Sequence, residues 1–421
     1  MTRQIHVIGA GLAGLAAALE LSEQPGLQVT VWERTDRPGG RCWSFEDTRL
    51  GRVIDNGNHL ILSGNGAVLD HAARIGAADR LEIAPEAALP FADLESGERW
   101  VLRVPSGLRD LTRGTGLREG LPRIALDAAR LWAAPRTRSV AQAIPRRGGA
   151  WRDLWEPLTL AVLNAPPEVA SAALLRAVLS RSLARGGAAC RPVTAPEGLG
   201  HALIEPAVAL LQERGVTVRY RAAVTGIEAE GGRAARLCFA REEPVPLGPR
   251  DGVILAAPPQ VAAALLGLAA VPAPGLSILN AHFRVAPDLA ALAAPVTGVI
   301  GGAAQWIFRR GDVLSVTVSA EEATPVAGMT REAALARLWQ DVARTLGRLE
   351  AGYIAARLLR ERAATFHTAP EDDAARLPMR SPLANLLHAG DHVRGPLPST
   401  LEAAVLSGRA AGAAMLEAGG A

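Results

Sequence analysis

The first forty residues alternate apolar and polar stretches in an order that is typical of a β-α-β unit. Apolar runs at positions 4–8 and 29–32 flank a glycine-rich turn and a stretch rich in alanine and leucine. A short apolar run bounded by glycine is characteristic of a buried parallel strand, and a longer Ala/Leu stretch favours helix. The pattern therefore predicts a strand, a tight turn, a helix and a second strand.

The glycine spacing in this turn predicts a dinucleotide site. Gly9 allows the tight turn, Gly11 lets backbone N–H groups approach a pyrophosphate, and Gly14 lets the helix pack close to the strand. The positive end of the helix dipole then faces the phosphates. Glu33 ends the second strand about 20 residues later, where an acid that binds ribose is expected.

Hydrophobic periodicity predicts the elements in the rest of the chain. Apolar residues at helical spacing predict helices at 68–75, 151–163, 201–214 and 331–346. Short apolar or alternating runs predict strands at 89–104 (two strands), 216–220, 223–228, 233–239, 253–258 and between 276 and 318. Residues 106–195 have a mostly helical pattern, and the chain contains neither repeats nor a low-complexity linker.

Composition narrows the class of protein. A chain of 421 residues is long enough for two intertwined domains. All 45 basic residues are arginine, so no lysine can form a Schiff base. The net charge is +3, and the arginines are scattered along the chain, so no basic cluster predicts nucleic-acid binding. Cys42, Cys190 and Cys238 have neither disulfide nor metal-ligand spacing, which predicts a reducing compartment and no metal site.

Membrane insertion and secretion are not predicted. No signal peptide precedes the first strand, so a cytoplasmic protein is expected. Residues 253–283 are uncharged, but four prolines divide this segment into pieces that are too short to span a bilayer. A peripheral position at the cytoplasmic membrane stays open as an alternative.

Three polar segments are candidates for contacts with a cofactor. Arg41 follows a Pro-Gly-Gly loop, and its guanidinium matches phosphate oxygens. Gly57 lies between two apolar runs, where a missing side chain would let the backbone pass close to a flat ring. His59 is either a proton donor or a histidine that hydrogen-bonds its own loop. Asp391 follows a strand near the C-terminus and could accept a bond from a ribityl hydroxyl.

A second helix start lies near the C-terminus. Ser399 is predicted to be its N-cap, with Glu402 at the third helical position in a capping box. The positive end of this helix would favour an anion or an electron-rich ring edge.

In the order of these motifs the chain resembles the FAD-dependent amine oxidase and phytoene desaturase superfamily. The resemblance implies an α/β fold, in which a Rossmann-like FAD-binding domain of the GR2 type carries an inserted α+β substrate domain. The implied FAD domain comprises residues 1–66, 196–260 and 380–421. Residues 67–195 and 261–379 would form the substrate domain, with a helical part that could dock on a membrane. The predicted FAD-binding residues are Gly9, Gly11, Leu12, Ala13, Gly14, Glu33, Arg34, Gly40, Arg41, Gly57, Asn58, His59, Val224, Gly390, Asp391, Thr400 and Leu401.

Within the superfamily the chain looks most like the bacterial hydroxysqualene dehydroxylases. The residues that carry this likeness are 55–65, 155–158, 163–167, 390–391 and 397–402, with Asn58 where many members have glutamine. The likeness implies reductive removal of an allylic hydroxyl from hydroxysqualene, with His59 as the candidate catalytic residue. It also implies delivery of substrate from a membrane and contact with upstream synthases of the squalene pathway. No second glycine motif follows a strand, so no nicotinamide site is evident and the electron donor stays unidentified.

Two rival functions remain at this point. A carotenoid or phytoene-type desaturase would share the fold and the lipid class but run the redox chemistry in the opposite direction. The second rival is a non-catalytic protein that binds FAD or a prenyl group. Amine oxidation in the superfamily that the chain resembles commonly uses a lysine near the flavin and an aromatic cage around the amine. The chain lacks lysine and has only two tyrosines, Tyr220 and Tyr353, so an amine substrate is disfavoured.

Overall fold

The computed structural model describes residues 2–106, 116 and 120–418. The part of the predicted helical stretch at 107–115 and 117–119 lies outside these residues. The α-helices of the described chain are α1 (Leu12–Ser22), α2 (Gly66–Arg74), α3 (Leu121–Ala133), α4 (Val140–Ala143), α5 (Glu156–Leu163), α6 (Ala172–Arg181), α7 (Glu205–Glu213), α8 (Pro259–Leu266), α9 (Pro287–Ala290), α10 (Arg331–Leu346), α11 (Pro370–Ala374) and α12 (Leu401–Glu417).

The strands of the described chain are β1 (Arg3–Ile8), β2 (Leu27–Trp32), β3 (Ser44–Asp47), β4 (Arg52–Asp55), β5 (Ile61–Leu62), β6 (Glu82–Ile83), β7 (Ala88–Asp93), β8 (Arg99–Arg103), β9 (Pro192–Thr194), β10 (Thr217–Arg219), β11 (Val224–Glu230), β12 (Arg233–Phe239), β13 (Val245–Pro246), β14 (Gly252–Leu255), β15 (Ile278–Arg284), β16 (Val296–Ile300), β17 (Trp306–Arg310), β18 (Val313–Val318), β19 (Ala355–Glu361) and β20 (Leu386–His388).

A parallel sheet in the order β10-β2-β1-β14-β20 carries the N-terminal motif. Its strands come from three separated parts of the chain, and β1 pairs in parallel with both β2 and β14. The central strands are buried on both faces, which explains their unbroken apolar sequence. The α/β fold class predicted from the sequence is confirmed.

A second, mostly antiparallel sheet has the order β19-β15-β18-β17-β16-β7-β8. Alternate residues of β15 and β18 point to opposite faces, as the strand pleat requires. Leu279, Phe283 and Val316 belong to an apolar core that includes α10. Asn280 and Thr317 belong to the other face and line a cavity. This sheet therefore separates a dry core from a partly polar cavity wall.

Helices α1 and α12 pack unusually close because of two glycines in α12. A Cβ atom on Gly408 would lie 2.1 Å from the carbonyl oxygen of Ala13, and one on Gly412 would lie 2.9 Å from that of Ala17. Any larger residue would push the helices apart. The two helices come from opposite ends of the described chain, and their close packing brings both predicted FAD-binding regions together.

Two π-helical turns begin helical segments that the sequence pattern predicted. They span Trp151–Trp155 and Gly200–Ile204, and each is followed directly by a Glu-Pro pair. Proline cannot donate to the carbonyl four residues earlier, and its ring crowds that carbonyl. A wider turn, in which the Glu156 N–H bonds the Trp151 oxygen, relieves this crowding before Pro157. The helices predicted at 151–163 and 201–214 are therefore present, and each begins with a π-turn.

Candidate cofactor site and active-site cavity

The glycine turn contains two glycines required by packing and one that faces open space. Gly9 has a φ of +110°, and a Cβ atom there would lie 2.5 Å from the Ala256 oxygen. A Cβ on Gly14 would lie 1.9 Å from the Gly9 oxygen, whereas no atom lies within 4 Å of a Cβ on Gly11. The protein itself therefore does not require glycine at Gly11, and space for a ligand is the remaining reason.

The N-terminus of α1 opens onto this space. No side chain caps the helix, and its first turn contains no acidic residue. The backbone N–H groups of the first turn lack helical partners, because Leu12 and Ala13 precede the first acceptor carbonyls. Both residues are buried, so these donors need an acceptor other than bulk water. The arrangement suits the pyrophosphate of a dinucleotide.

Glu33 has a structural role that the sequence did not indicate. Its Oε2 accepts a hydrogen bond from the Ala10 N–H at 2.9 Å, and its Oε1 accepts from the backbone and the hydroxyl of Thr35, both at 2.8 Å. The carboxylate thus holds the glycine turn in place. Oε2 accepts only one of these bonds and has one further acceptor position, so the predicted bond to ribose stays compatible with these contacts.

Arg41 and Asp391, predicted from opposite ends of the chain, form an ion pair. The Nη2 of Arg41 lies 2.6 Å from Oδ1 of Asp391, and its Nη1 donates to the Ala364 oxygen at 2.5 Å. The charge of Asp391 raises the pKa of Arg41. Burial alone would raise the pKa of Asp391, but the charge of Arg41 and its hydrogen bond, together with His392 at 3.8 Å, hold this pKa well below its usual value. Both groups are therefore charged at neutral pH.

The loop that carries Asp391 is fixed by Ser407 and Arg376, which the sequence analysis missed. Gly390 has a φ of +144°, and its N–H donates to Ser407 Oγ at 3.0 Å. The buried guanidinium of Arg376 donates to the backbone oxygens of Asp391 and Val393 at 3.0 and 2.6 Å. No sequence motif marks Arg376, because its role depends on a loop that the fold brings beside it.

Of the other residues predicted to bind FAD, Gly40 and Val224 lie close to the glycine turn or to Glu33, whereas Arg34 is exposed. Gly40 packs against the turn, and a Cβ there would lie 3.5 Å from the Gly11 Cα. Val224 begins β11, directly after a segment in which the Ala222 N–H donates to the Glu33 oxygen at 2.9 Å. Arg34 is exposed and forms no hydrogen bond or ion pair with the described residues. Its predicted contact with FAD thus has no support from neighbouring groups.

The predicted capping box at the start of α12 was wrong. Thr400 is the N-cap, and its hydroxyl accepts from the Ala403 N–H at 3.1 Å, whereas Ser399 Oγ accepts from the Phe366 N–H at 3.2 Å. Glu402 instead accepts from the N–H groups of Ala67 and Val68, both at 3.0 Å, at the start of α2. Two charge-assisted bonds at another helix terminus are stronger than the single bond of a capping box.

A cavity of about 310 Å³ adjoins these elements. Thr400 and Leu401 line it on the side of α12, and Arg41 lines it on the side of the cofactor loop. Its other walls are mainly apolar and include Leu89, Phe91, Leu158, Val162, Val178 and Leu183. The cavity therefore joins the predicted flavin end of the cofactor site to a space suited to a hydrocarbon.

In the polar segment at 55–59, Asp55 stabilises the fold and the residues from Gly57 onward line the cavity. Asp55 is buried, and its carboxylate accepts from Ser44 Oγ, the Leu199 N–H and Arg310 at 2.5, 3.1 and 2.7 Å. Gly57, Asn58 and His59 line the cavity. The segment thus uses its aspartate as an anchor and presents the next residues to the ligand space.

His59 projects into the cavity without a protein partner. It forms no hydrogen bond with any described residue, so the predicted bond to its own loop is not formed. Desolvation lowers its pKa, with the charge of Asp55 opposing and that of Arg41 adding to this shift. The imidazole is therefore neutral at pH 7, which suits it to orient a polar group better than to act as a cationic acid.

Side chains from distant strands complete the cavity wall, and sequence analysis missed them. Asn58 Nδ2 donates to Thr317 Oγ1 at 3.0 Å, and Thr317 Oγ1 donates to Asn280 Oδ1 at 2.9 Å. Glu361, at the end of β19, accepts from Asn56 Nδ2 at 3.1 Å and also lines the cavity. An alternating strand pattern could have shown that Asn280 and Thr317 face one side, but not that they are neighbours.

The described residues offer neither a metal site nor a membrane-spanning helix. Among residues 2–106, 116 and 120–418, no group of three or more His, Cys, Asp and Glu side chains is placed to hold a metal ion. In the same part of the chain, no helix has the length and apolar character needed to cross a membrane.

Comparison with known proteins yields a family and full-length relatives. The family model described as flavin-containing amine oxidoreductase matches residues 12–416. Hydroxysqualene dehydroxylase from Rhodopseudomonas palustris is 39% identical over 100% of both chains. The protein of the same name from Sinorhizobium fredii is 39% identical over 99% of both. Cyclohexylamine oxidase from Brevibacterium oxydans superposes with a TM-score of 0.74 over 99% of both chains, at 17% identity.

Proposed function

Because the chain belongs to the flavin-containing amine oxidoreductase family and, within it, to the hydroxysqualene dehydroxylases, we propose that this FAD-dependent enzyme reduces hydroxysqualene to squalene. The observation that carries the proposal is the apolar cavity that adjoins the cofactor site at Gly57, His59 and Leu401. A long isoprenoid needs such walls, and the chemistry requires its functional carbon to reach the flavin. Bound and reduced, FAD supplies the hydride that replaces the hydroxyl group.

The protein contributes binding, exclusion of water and handling of a proton. The turn at 9–14 and the Arg41–Asp391 pair hold the cofactor from two sides. Apolar walls keep water away from the allylic carbon, where it would compete with hydride. The departing hydroxyl must take up a proton, and His59 is an unpartnered cavity group that can hydrogen-bond the leaving oxygen or a water beside it.

An anaerobic assay tests the reaction. Photoreduced enzyme is mixed with hydroxysqualene, and flavin absorbance and squalene are measured together. We expect reoxidation of the flavin with one squalene formed per flavin. Reduction of the oxidised enzyme by phytoene would instead support the rival desaturase, and no redox change with either lipid would support a non-catalytic binding protein.

A substitution of His59 tests its assigned role. His59→Ala should retain FAD and lower turnover about tenfold, because the leaving oxygen or the water beside it loses one hydrogen bond. His201→Ala is the matched control, since His201 is a surface residue bonded to Glu197 and Glu205. Turnover at the wild-type rate in His59→Ala would remove this residue from the mechanism.

We also propose that α3 docks the enzyme on an anionic membrane. Leu121, Leu126 and Trp132 on this helix are 49%, 48% and 43% exposed. Arg130 on the helix and Arg136 and Arg138 just after it are exposed as well. Apolar side chains with neighbouring arginines are typical of helices that lie in a membrane interface. The helix packs on α6, whose residue Val178 lines the cavity, so docking would place the cavity close to the lipid.

Vesicle sedimentation tests this docking. The double variant Leu126→Ser, Trp132→Ser should bind phosphatidylglycerol vesicles about tenfold more weakly, because each substitution removes apolar area that would be buried in the membrane interface. Leu349→Ser with Ile354→Ser is the control, since these residues are 72% and 62% exposed but lie away from α3 in the chain. Equal loss in both pairs would show that general hydrophobicity, and not α3, binds the membrane.

A further inference from the structure

Three neutral polar side chains form a hydrogen-bonded group on one wall of the cavity. Asn280 of β15 and Thr317 of β18 are direct partners in the antiparallel register, so their side chains lie side by side on one face of the sheet. Asn58 reaches them from the segment that also carries Gly57 and His59, and all three polar residues line the cavity. We call Asn58, Asn280 and Thr317 the amide cluster.

The hydrogen bonds of the amide cluster run in one direction. Asn58 Nδ2 donates to Thr317 Oγ1 at 3.0 Å and is 3.4 Å from Asn280 Oδ1, and Thr317 Oγ1 donates to Asn280 Oδ1 at 2.9 Å. The hydroxyl of Thr317 is thus used as both acceptor and donor. This chain of bonds fixes the Asn280 amide, because its oxygen must point toward Thr317 and Asn58.

The fixed amide leaves a donor unused. Asn280 is 1% exposed, and its Nδ2 has no hydrogen-bond partner among the described residues. Buried donors without a partner are rare, and each calls for a ligand or another explanation. A Cβ atom on Gly57 would lie 3.4 Å from this Nδ2, so the glycine keeps the space beside the donor open.

We propose that Asn280 donates a hydrogen bond from Nδ2 to the hydroxyl oxygen of the substrate. Thr317 and Asn58 are positioning residues that hold the amide. The inference rests on the proposed function for the identity of the alcohol. A neutral amide suits a neutral hydroxyl, because a charged partner would carry a larger desolvation cost in an apolar cavity. The hydrocarbon product has no acceptor for this donor, so the site discriminates substrate from product.

Binding to the oxidised holoenzyme tests the inference without turnover. Hydroxysqualene and squalene are titrated separately from detergent micelles, and perturbation of the flavin absorbance reports occupancy. Wild type should bind the alcohol about tenfold more tightly than the hydrocarbon, as expected for one well-placed hydrogen bond. Asn280→Leu should abolish this preference and leave squalene binding unchanged.

Two further variants separate positioning from folding. Thr317→Val keeps the side-chain shape and should reduce the preference for the alcohol about threefold, because the amide loses its fixed orientation. Ser315→Ala is the control: Ser315 pairs with His282 on the same face of the sheet but does not line the cavity. Its preference should match that of wild type.

The outcomes distinguish this inference from the proposed function. If wild type has no preference for the alcohol, or if Asn280→Leu or Thr317→Val retains the full preference, the inference is overturned. Loss of FAD from Asn280→Leu with an unchanged preference in Thr317→Val would assign the amide to the cofactor and also overturn it. Wild type that prefers the alcohol but fails to reduce it would contradict only the proposed function.

Discussion

The cofactor site and the cavity are built from different kinds of atoms. The cofactor site is formed mainly by glycines, backbone N–H groups and the N-terminus of α1, and its turn at 9–14 is a single continuous segment. In the cavity, side chains from the segment at 57–59, the helices α5 and α6, and the strands β15 and β18 meet across long sequence distances.

This difference sets how each region tolerates change. A backbone site fails when a Cβ atom forces the chain to move, because neighbouring carbonyls cannot yield. A cavity wall can change its shape, and with it the choice of substrate, while the fold persists. The cofactor site should therefore be sensitive to minimal substitutions, and the cavity to the volume and polarity of single side chains.

The largest effect is expected within the glycine turn itself. Gly14→Ala places a methyl group 1.9 Å from the Gly9 oxygen and should abolish FAD binding together with the cooperative folding of the sheet. Gly11→Ala meets no protein atom within 4 Å, so the apoprotein should melt as wild type does while FAD affinity falls. Melting temperature without FAD, and flavin content after dialysis, measure the two effects. Equal destabilisation by both variants would contradict the assignment of Gly11 to the ligand.

Filling the cavity should have an intermediate effect that spares the cofactor. Leu158→Trp on α5 adds volume to the wall and should lower turnover of hydroxysqualene at least tenfold with FAD still bound. Leu160→Trp, two residues further along the same helix, does not line the cavity and serves as the control. Loss of flavin from Leu158→Trp would show that the two regions are not independent.

The smallest effect concerns acid stability on the cofactor side. Burial lowers the pKa of His388 in β20 to about 4, and neither ring nitrogen has a partner among the described residues. In the unfolded chain its pKa is about 6.5, so its contribution to stability is complete above pH 6.5 and is lost as the pH falls toward 4. At pH 5 the loss is about 2 kcal/mol.

His388→Leu removes this titration. Denaturant unfolding at pH 7 and pH 5 should show a smaller difference for the variant than for wild type. An identical pH dependence in the two proteins would mean that His388 is solvated in solution.

Sequence reasoning succeeded where structure is local. The β-α-β unit, the helix at 331–346 and the paired strands at 88–103 follow from periodicity and turn residues within short windows. Glu33, Arg41 and Asp391 were found because each ends or follows a recognisable element. That Arg41 and Asp391 form an ion pair could not be read from the sequence, because nothing local links the two segments.

The misses all depend on partners that lie far away in the chain. Thr400 caps α12 because Glu402 is used at the start of α2 and Ser399 by Phe366. Asn280 and Thr317 meet because two strands pair in one particular register, and a shift of either strand by one residue would turn its own polar side chain toward the apolar core. The proline-linked π-turns are the exception, since each precedes a visible Glu-Pro pair.

The close contact of α1 with α12 constrains how the protein is made. During translation, α1 emerges early with alanines that only a much later helix can cover, and the groove beside Ala13 and Ala17 stays open until Gly408 and Gly412 have been synthesised. Because such non-local contacts form slowly, the nascent chain exposes this groove for most of its synthesis. FAD should therefore be retained only after α12 has been synthesised and has packed against α1.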